Sequence, residues 1–211
     1  MKNKILLTAA LAGIALLAIA ASPAYVTKSA NGNAAAPANV ILPADPYTQI
    51  RVVNVNYSTD TNNSVLSFTS GTTAYSIQFT NYATSATTNC INSTNGLSGG
   101  ATLVLQHNGA CYSSTVSSWA AVTNASLYTG YTNVVLASGG WGVASSVGDS
   151  VYLMGTATTL PSPAASSGTT TTAAVNGEAI YVASYQGRPV SVTITPALVT
   201  NKLNTVIVHY D

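Results

Sequence analysis

At 211 residues the chain has room for one domain, or one domain with an appendage, and only 5% of its side chains are charged. An ordinary soluble protein carries roughly 25%; here Ser, Thr, Asn, Gly and Tyr fill the deficit, so the surface is polar but uncharged. The formal net charge is +1 with no cluster of Lys and Arg, which excludes a nucleic-acid partner held by phosphate neutralisation.

Residues 1–24 open with Lys2 and Lys4, continue through an apolar run from Ile5 to Ala20, and offer small residues for cleavage after Ala20 or Ala24. This is the layout of a cleaved secretory signal peptide. A retained anchor competes, because the run approaches the ~17–25 residues of a membrane span. A type IV pilin leader is the third reading, and Lys4, in place of Gly or Ala before Ile5, fits it poorly. The expectation is an exported protein, extracellular or at the cell surface, with no membrane attachment after cleavage. Removing Lys2 and Lys4 leaves Lys28, Arg51, Arg188 and Lys202 against Asp45, Asp60, Asp149, Glu178 and Asp211, four cations to five acids. No Lys or Arg lies between Arg51 and Arg188, so a trypsin-like protease has nothing to cut there.

Residues 25–46 read as a flexible N-terminal arm. Asn31-Gly32 and the Ala34–Ala36 run carry no period, and Pro37, Pro43 and Pro46 punctuate the rest of the arm. Within the arm, Asn39, Val40, Ile41 and Leu42 form a short β-prone patch, the candidate donor strand for a neighbour's open sheet edge. Tyr25–Ala38 reads as leader, and the inserted strand could extend through Pro46 into Tyr47–Tyr57.

From Tyr47 to Asp211 the pattern is strand after strand, with no sustained helical period. Candidates are Thr48–Tyr57, Val65–Phe68, the alternating Tyr75, Ile77 and Phe79, Ala101–Gln106, Val116–Val122, Tyr131–Leu136, Ser150–Thr156, Val190–Ile194 and Leu203–Tyr210. Asn108-Gly109 predicts a tight type I′ hairpin, and Asn176-Gly177 a second hairpin between Thr172–Val175 and Glu178–Ser184. Leu160–Thr171 reads as a loop. The fold class predicted is all-β: a β-sandwich head, immunoglobulin-like or jelly-roll-like, over residues 47–211.

Cys90 and Cys111 are an even pair in an exported chain and predict a disulfide tying the 87–100 loop to the strand after the Asn108-Gly109 turn. Sequons occur at Asn56, Asn62, Asn92 and Asn124, a number that chance alone produces in so Asn-, Ser- and Thr-rich a chain. Asn62 and Asn92 fall in polar loops and are the better glycan acceptors. His107 and His209 have no further ligand at metal spacing. Asp149 and Glu178 are the only acids in the body that could form a glycosidase pair. Tyr128 and Tyr131 could make an aromatic surface for sugars, and Lys28 or Lys202 could supply an isopeptide crosslink. No enzyme, metal or cofactor is expected.

Taken together, the Sec-type signal, the Ala/Asn-rich arm, the charge-poor Thr/Ser/Asn/Tyr β body and the scattered sequons resemble the subunits of extracellular threads, and of related donor-strand pili, from thermoacidophilic archaea. The resemblance implies a β-rich head that accepts the N-terminal strand of the adjacent subunit, with N-linked glycans on the four sequon asparagines. The expected partner is the same chain, in a head-to-tail polymer. The alternatives are a monomeric secreted or surface-layer-associated β-sandwich domain for carbohydrate binding or adhesion and, more weakly, an acid-tolerant secreted hydrolase.

Overall fold

The computed structural model describes residues 25–33, 36–59, 65–79, 85–122, 130–161, 171–195 and 204–211; the signal segment 1–24 lies outside them. The chain runs through β1 (Val26–Gly32), β2 (Ala38–Leu42), β3 (Arg51–Thr59), β4 (Val65–Ser76), β5 (Thr88–Ile91), β6 (Thr102–His107), β7 (Ala110–Ala121), β8 (Thr132–Leu136), β9 (Ser150–Met154), β10 (Thr158–Pro161), β11 (Thr171–Val182), β12 (Val190–Thr195) and β13 (Asn204–Tyr210). Two antiparallel sheets pack as a β-sandwich. One is ordered β1-β13-β3-β11; the other is ordered β2-β12-β4-β9-β6-β7-β8-β5, with β10 beside β4.

Period-two alternation builds the layers. In β12, Val190, Val192 and Ile194 point inward while Ser191 and Thr193 point out; in β13, Val206 and Val208 point inward. With Val52, Val55 and Tyr57 of β3, Leu66 and Phe68 of β4, and Ala38, Val40 and Leu42 of β2, they form the core between the sheets. Phe68 stacks on Tyr181 at 5.1 Å, and the Tyr181 hydroxyl bonds the buried Ser70 hydroxyl at 2.6 Å.

A second core fills the far half of the larger sheet. β4 pairs with β12 as far as Ser70, slips register between Gly71 and Thr73, and then pairs with β9. Beyond β4, Ile77 bridges Ile91 and the Gln78 N–H donates to the Cys90 carbonyl at 2.9 Å, so β5 meets the end of β4 and this half of the sheet curls around on itself. Ile77, Ile91, Leu103, Leu105, Val134 and Val151 fill the interior with the buried Trp141.

Several expectations require correction. Val65–Phe68 and the Tyr75–Phe79 alternation are not separate strands; β4 runs continuously from Val65 through Ser76 and absorbs a bulge at Thr72, between Gly71 and Thr73. The Asn108-Gly109 hairpin is present, with φ of 50° and 76° at the two residues, as a type I′ turn requires. Asn176-Gly177 makes no hairpin: it lies inside β11, where the pairing with β3 slips between Asn176 and Tyr181. The Leu160–Thr171 loop begins as β10, paired with β4, and Thr88–Ile91 in the expected 87–100 loop is β5.

The predicted disulfide is also corrected, since Cys90 and Cys111 are both free thiols. Cys90 lies opposite Asn133 of β8, which lies opposite Ala120 of β7, nine residues along that strand from Cys111. The two cysteines therefore sit on different strands and in different rows of the sheet, whereas a disulfide needs Cα atoms within about 7 Å.

The arm, finally, is not an appendage. Tyr25–Ala38, expected as a flexible leader, contains β1, and Asn39–Leu42 lies in β2; both strands pair within their own chain.

Candidate functional site

The feature that stands out is the seam along one side of the sandwich. β1 forms an edge of the smaller sheet on β13, β2 forms an edge of the larger sheet on β12, and both come from one segment, residues 26–42. A tight corner joins them. The Asn33 N–H donates to the Ala36 carbonyl at 2.7 Å, and the Ala36 N–H donates to Asn33 Oδ1 at 2.9 Å. A Cβ on Gly32 would lie 2.2 Å from the backbone nitrogen of Ala38, so the corner excludes any side chain there. Lys28 Nζ donates across it to the Ile41 carbonyl at 3.4 Å.

The two strands are held in different ways. β2 inserts Ala38, Val40 and Leu42 into the main core, at 0%, 3% and 0% exposure. β1 is mostly exposed and is held by its ladder to β13 and by polar contacts, Thr27 Oγ1 with His209 Nδ1 at 3.0 Å and Thr205 Oγ1 donating to Asn31 Oδ1 at 2.8 Å.

Residues 43–50 connect the segment to β3 and carry Pro43 and Pro46. Uncharged side chains tether this linker. Gln106 of β6 accepts from the Ala44 N–H at 3.1 Å and donates to the Ala44 carbonyl at 3.2 Å. Gln186 donates to the Pro46 carbonyl at 3.1 Å, and Gln49 donates to the Ala183 carbonyl at 3.3 Å. Asp45 Oδ1 accepts from the Tyr47 N–H at 2.8 Å, an Asx-type turn that folds the linker locally.

Among the described residues, the chemistry-bearing side chains come together at one pair, His107 with Asp149. Asp149 precedes β9 and bonds His107 Nδ1 at 2.7 Å while accepting from the Ser146 N–H at 2.7 Å; Asn108 Nδ2 lies 2.8 Å from His107 Nε2. Glu178 belongs to β11 on the other sheet, and Asp149 precedes β9 on the larger one. The His107–Asp149 pair was not anticipated: only the β6–β9 register, with Gln106 opposite Ser150, brings them together across 42 residues. No cluster of three His, Cys, Asp or Glu occurs among the described residues.

Burial pushes the Cys111 thiol up to about 11, against the opposing pull of the Lys28 ammonium, and raises Cys90 against a backbone hydrogen bond at Thr132. Both thiols are therefore protonated and poor nucleophiles at neutral pH.

Of the sequons, Asn92 is exposed in the turn after β5 and accepts from the Ser76 N–H at 3.1 Å. Asn56 sits within β3, its Nδ2 3.3 Å from His209 Nε2, beside the buried Tyr57. Asn62 and Asn124 lie outside the described residues, as do Tyr128 and Lys202. Tyr131 meets Phe79 edge-on at 6.1 Å.

No protein-family model, curated protein or solved structure matches this chain.

Proposed function

We propose that the chain is a secreted, non-enzymatic subunit of an extracellular filament, joined head to tail by exchange of its N-terminal segment. The observation that carries this reading is the seam: one segment at the chain's N-terminal side supplies an edge of each sheet and plugs the main core. Withdrawal of that segment uncovers the hydrogen-bonding edges of β12 and β13 and opens the sockets of Val40 and Leu42. The apolar side chains of those two residues account for about 1.5–3 kcal/mol each when buried. A neighbour's identical segment re-forms the same registers, Leu42 on Val190, Val40 on Val192 and Ala38 on Ile194. Contact energies then cancel between the closed monomer and the exchanged polymer, leaving linker strain and concentration to set the balance, as in domain swapping. Each subunit gives one segment and receives one, so the contact is heterologous and propagates as a fibre. The joint consists of main-chain ladders and apolar knobs, so it is insensitive to acid and salt, in keeping with the resemblance to the extracellular threads of thermoacidophilic archaea.

A crosslink placed on the joint tests the exchange. Asn39 and Thr193 are directly opposed in the β2–β12 register, a spacing of about 4.5–5.5 Å that a disulfide can bridge. The Asn39→Cys/Thr193→Cys chain, oxidised as a monomer, should be locked shut and fail to form filaments in electron micrographs. Oxidised after assembly, it should give a covalent ladder of multimers on a denaturing gel. Filaments growing from locked monomers, or crosslinks that stay within single chains, would sink the proposal.

A further inference from the structure

A cleft of about 580 Å³ opens on the larger sheet, between β2 and β12 on one side and β6, β7 and the loop before β6 on the other. That volume lies within the ~300–1,000 Å³ of small-molecule sites. Its walls are hydroxyl-bearing: Thr69, Thr102, Ser113, Ser191 and Thr193 all face it, along with Asn39. Asn39 is held in place, because its Oδ1 accepts from both Ser191 Oγ at 2.7 Å and Thr193 Oγ1 at 3.2 Å. Those two bonds occupy the carbonyl end of the amide and leave its NH₂ donors to face a ligand. Ile41, Val104 and Leu153 add an apolar strip. Among the described residues, no ionisable side chain lines the cleft.

We infer that this cleft binds a neutral saccharide. A sugar presents alternating hydroxyl donors and acceptors around an apolar C–H face, which matches fixed amide and hydroxyl groups beside an apolar strip. Phosphate, carboxylate and ammonium ligands find no countercharge, so their desolvation would go uncompensated. The site belongs to the closed chain and requires no polymer. On the filament reading, Asn39 and Ile41 would come from a neighbouring copy's β2, so a bound sugar would span the joint between subunits and tighten it by mass action.

The test is calorimetric titration of the monomeric secreted chain with maltotriose, mannotriose and chitotriose, with trigalacturonate and an uncharged Ser/Thr peptide as comparators. At least one neutral trisaccharide should bind at roughly millimolar Kd or tighter. Asn39→Ala should weaken that binding about tenfold. Ser113→Trp, a bulky side chain on an exposed strand position, should abolish it while the circular dichroism stays native. Tyr47→Ala, on the exposed linker, should change nothing. The inference is overturned if no neutral sugar binds at about 10 mM, if the acidic sugar or the peptide binds better, or if Ser113→Trp leaves affinity intact. These readouts are taken on monomer, so loss of filaments in the crosslinking experiment neither mimics nor masks them.

Discussion

The side-chain amide of Gln106, on β6, closes on both backbone groups of Ala44, accepting from its N–H at 3.1 Å and donating to its carbonyl at 3.2 Å. It holds the linker between β2 and β3 against the body much as a further strand would, but through one neutral side chain. Gln106→Ala removes both bonds and leaves the Ala44 groups to water, at a cost of about 1–2 kcal/mol in urea unfolding. The linker is the hinge of the proposed exchange, so the same change should speed filament growth several-fold. Gln106→Glu tests the donor alone: at neutral pH its carboxylate accepts from the Ala44 N–H but cannot serve the carbonyl. Turbidity or light-scattering growth curves decide the matter, and unchanged kinetics in Gln106→Ala would remove the latch role.

Leu42 separates a dispensable tail from an integral strand. It is fully buried against the pairing with Val190. Leu42→Ala should destabilise the monomer by about 2–4 kcal/mol in urea unfolding. Asn39→Ala, on the exposed face of the same strand, should stay within roughly 1 kcal/mol of the native chain. Equal, negligible effects at both positions would mean that β2 contributes nothing to the closed fold.

The two arm strands also mark how far the fold is legible in sequence. β12 carries clean apolar alternation in its sequence, whereas in β2 and β13 Ile41 and Ile207 interrupt it and alternation appears only in burial. β1, with sequence VTKSANG, carries no such signal because it is held by main-chain bonds and exposed polar contacts. β4 reads as two strands because its bulge falls at Thr72, between Gly71 and Thr73, where the core it faces changes. Asn176-Gly177 has turn chemistry, yet the register slip in β11 accommodates it without a turn. Cys90 and Cys111 pair on paper because they are the two cysteines of a chain read as exported; β5 pairing with β8 carries Cys90 to the far end of β7 from Cys111. The cleft is beyond a linear reading altogether, since Asn39, Ser113 and Ser191 meet only when the larger sheet bends.

Glycan acceptance should divide along the same structural line. Asn92 is exposed in a turn, whereas Asn56 lies mid-strand with its amide nitrogen engaged by His209 and buried Tyr57 next to it. In a host that glycosylates Asn-x-Ser/Thr, peptide mass spectrometry should find sugar on Asn92 and none on Asn56. Modification of Asn56 would require β3 to be unformed when the sugar is added.

Stability should be lopsided in pH. The chain has only five acids, so protonation offers little leverage and unfolding free energy should stay nearly flat down to about pH 3. The alkaline side is different. Burial raises the Cys111 thiol to about 11 and also lifts Cys90, Tyr75 and Tyr210 above their ordinary values. In each case the folded state favours the neutral, protonated form. Below about pH 8.5 thiols are protonated in both states and the contribution is fully present. As pH rises further, the unfolded chain loses those protons first, so unfolding is pulled forward until the folded groups ionise as well. For Cys111 alone the loss is on the order of 2 kcal/mol between about pH 9 and 11. Urea midpoints at about pH 3, 7 and 10.5 should therefore read flat and then fall, and Cys111→Ala should remove part of the fall. A sharp acid transition above about pH 3, or an alkaline limb that Cys111→Ala leaves unchanged, would contradict this account.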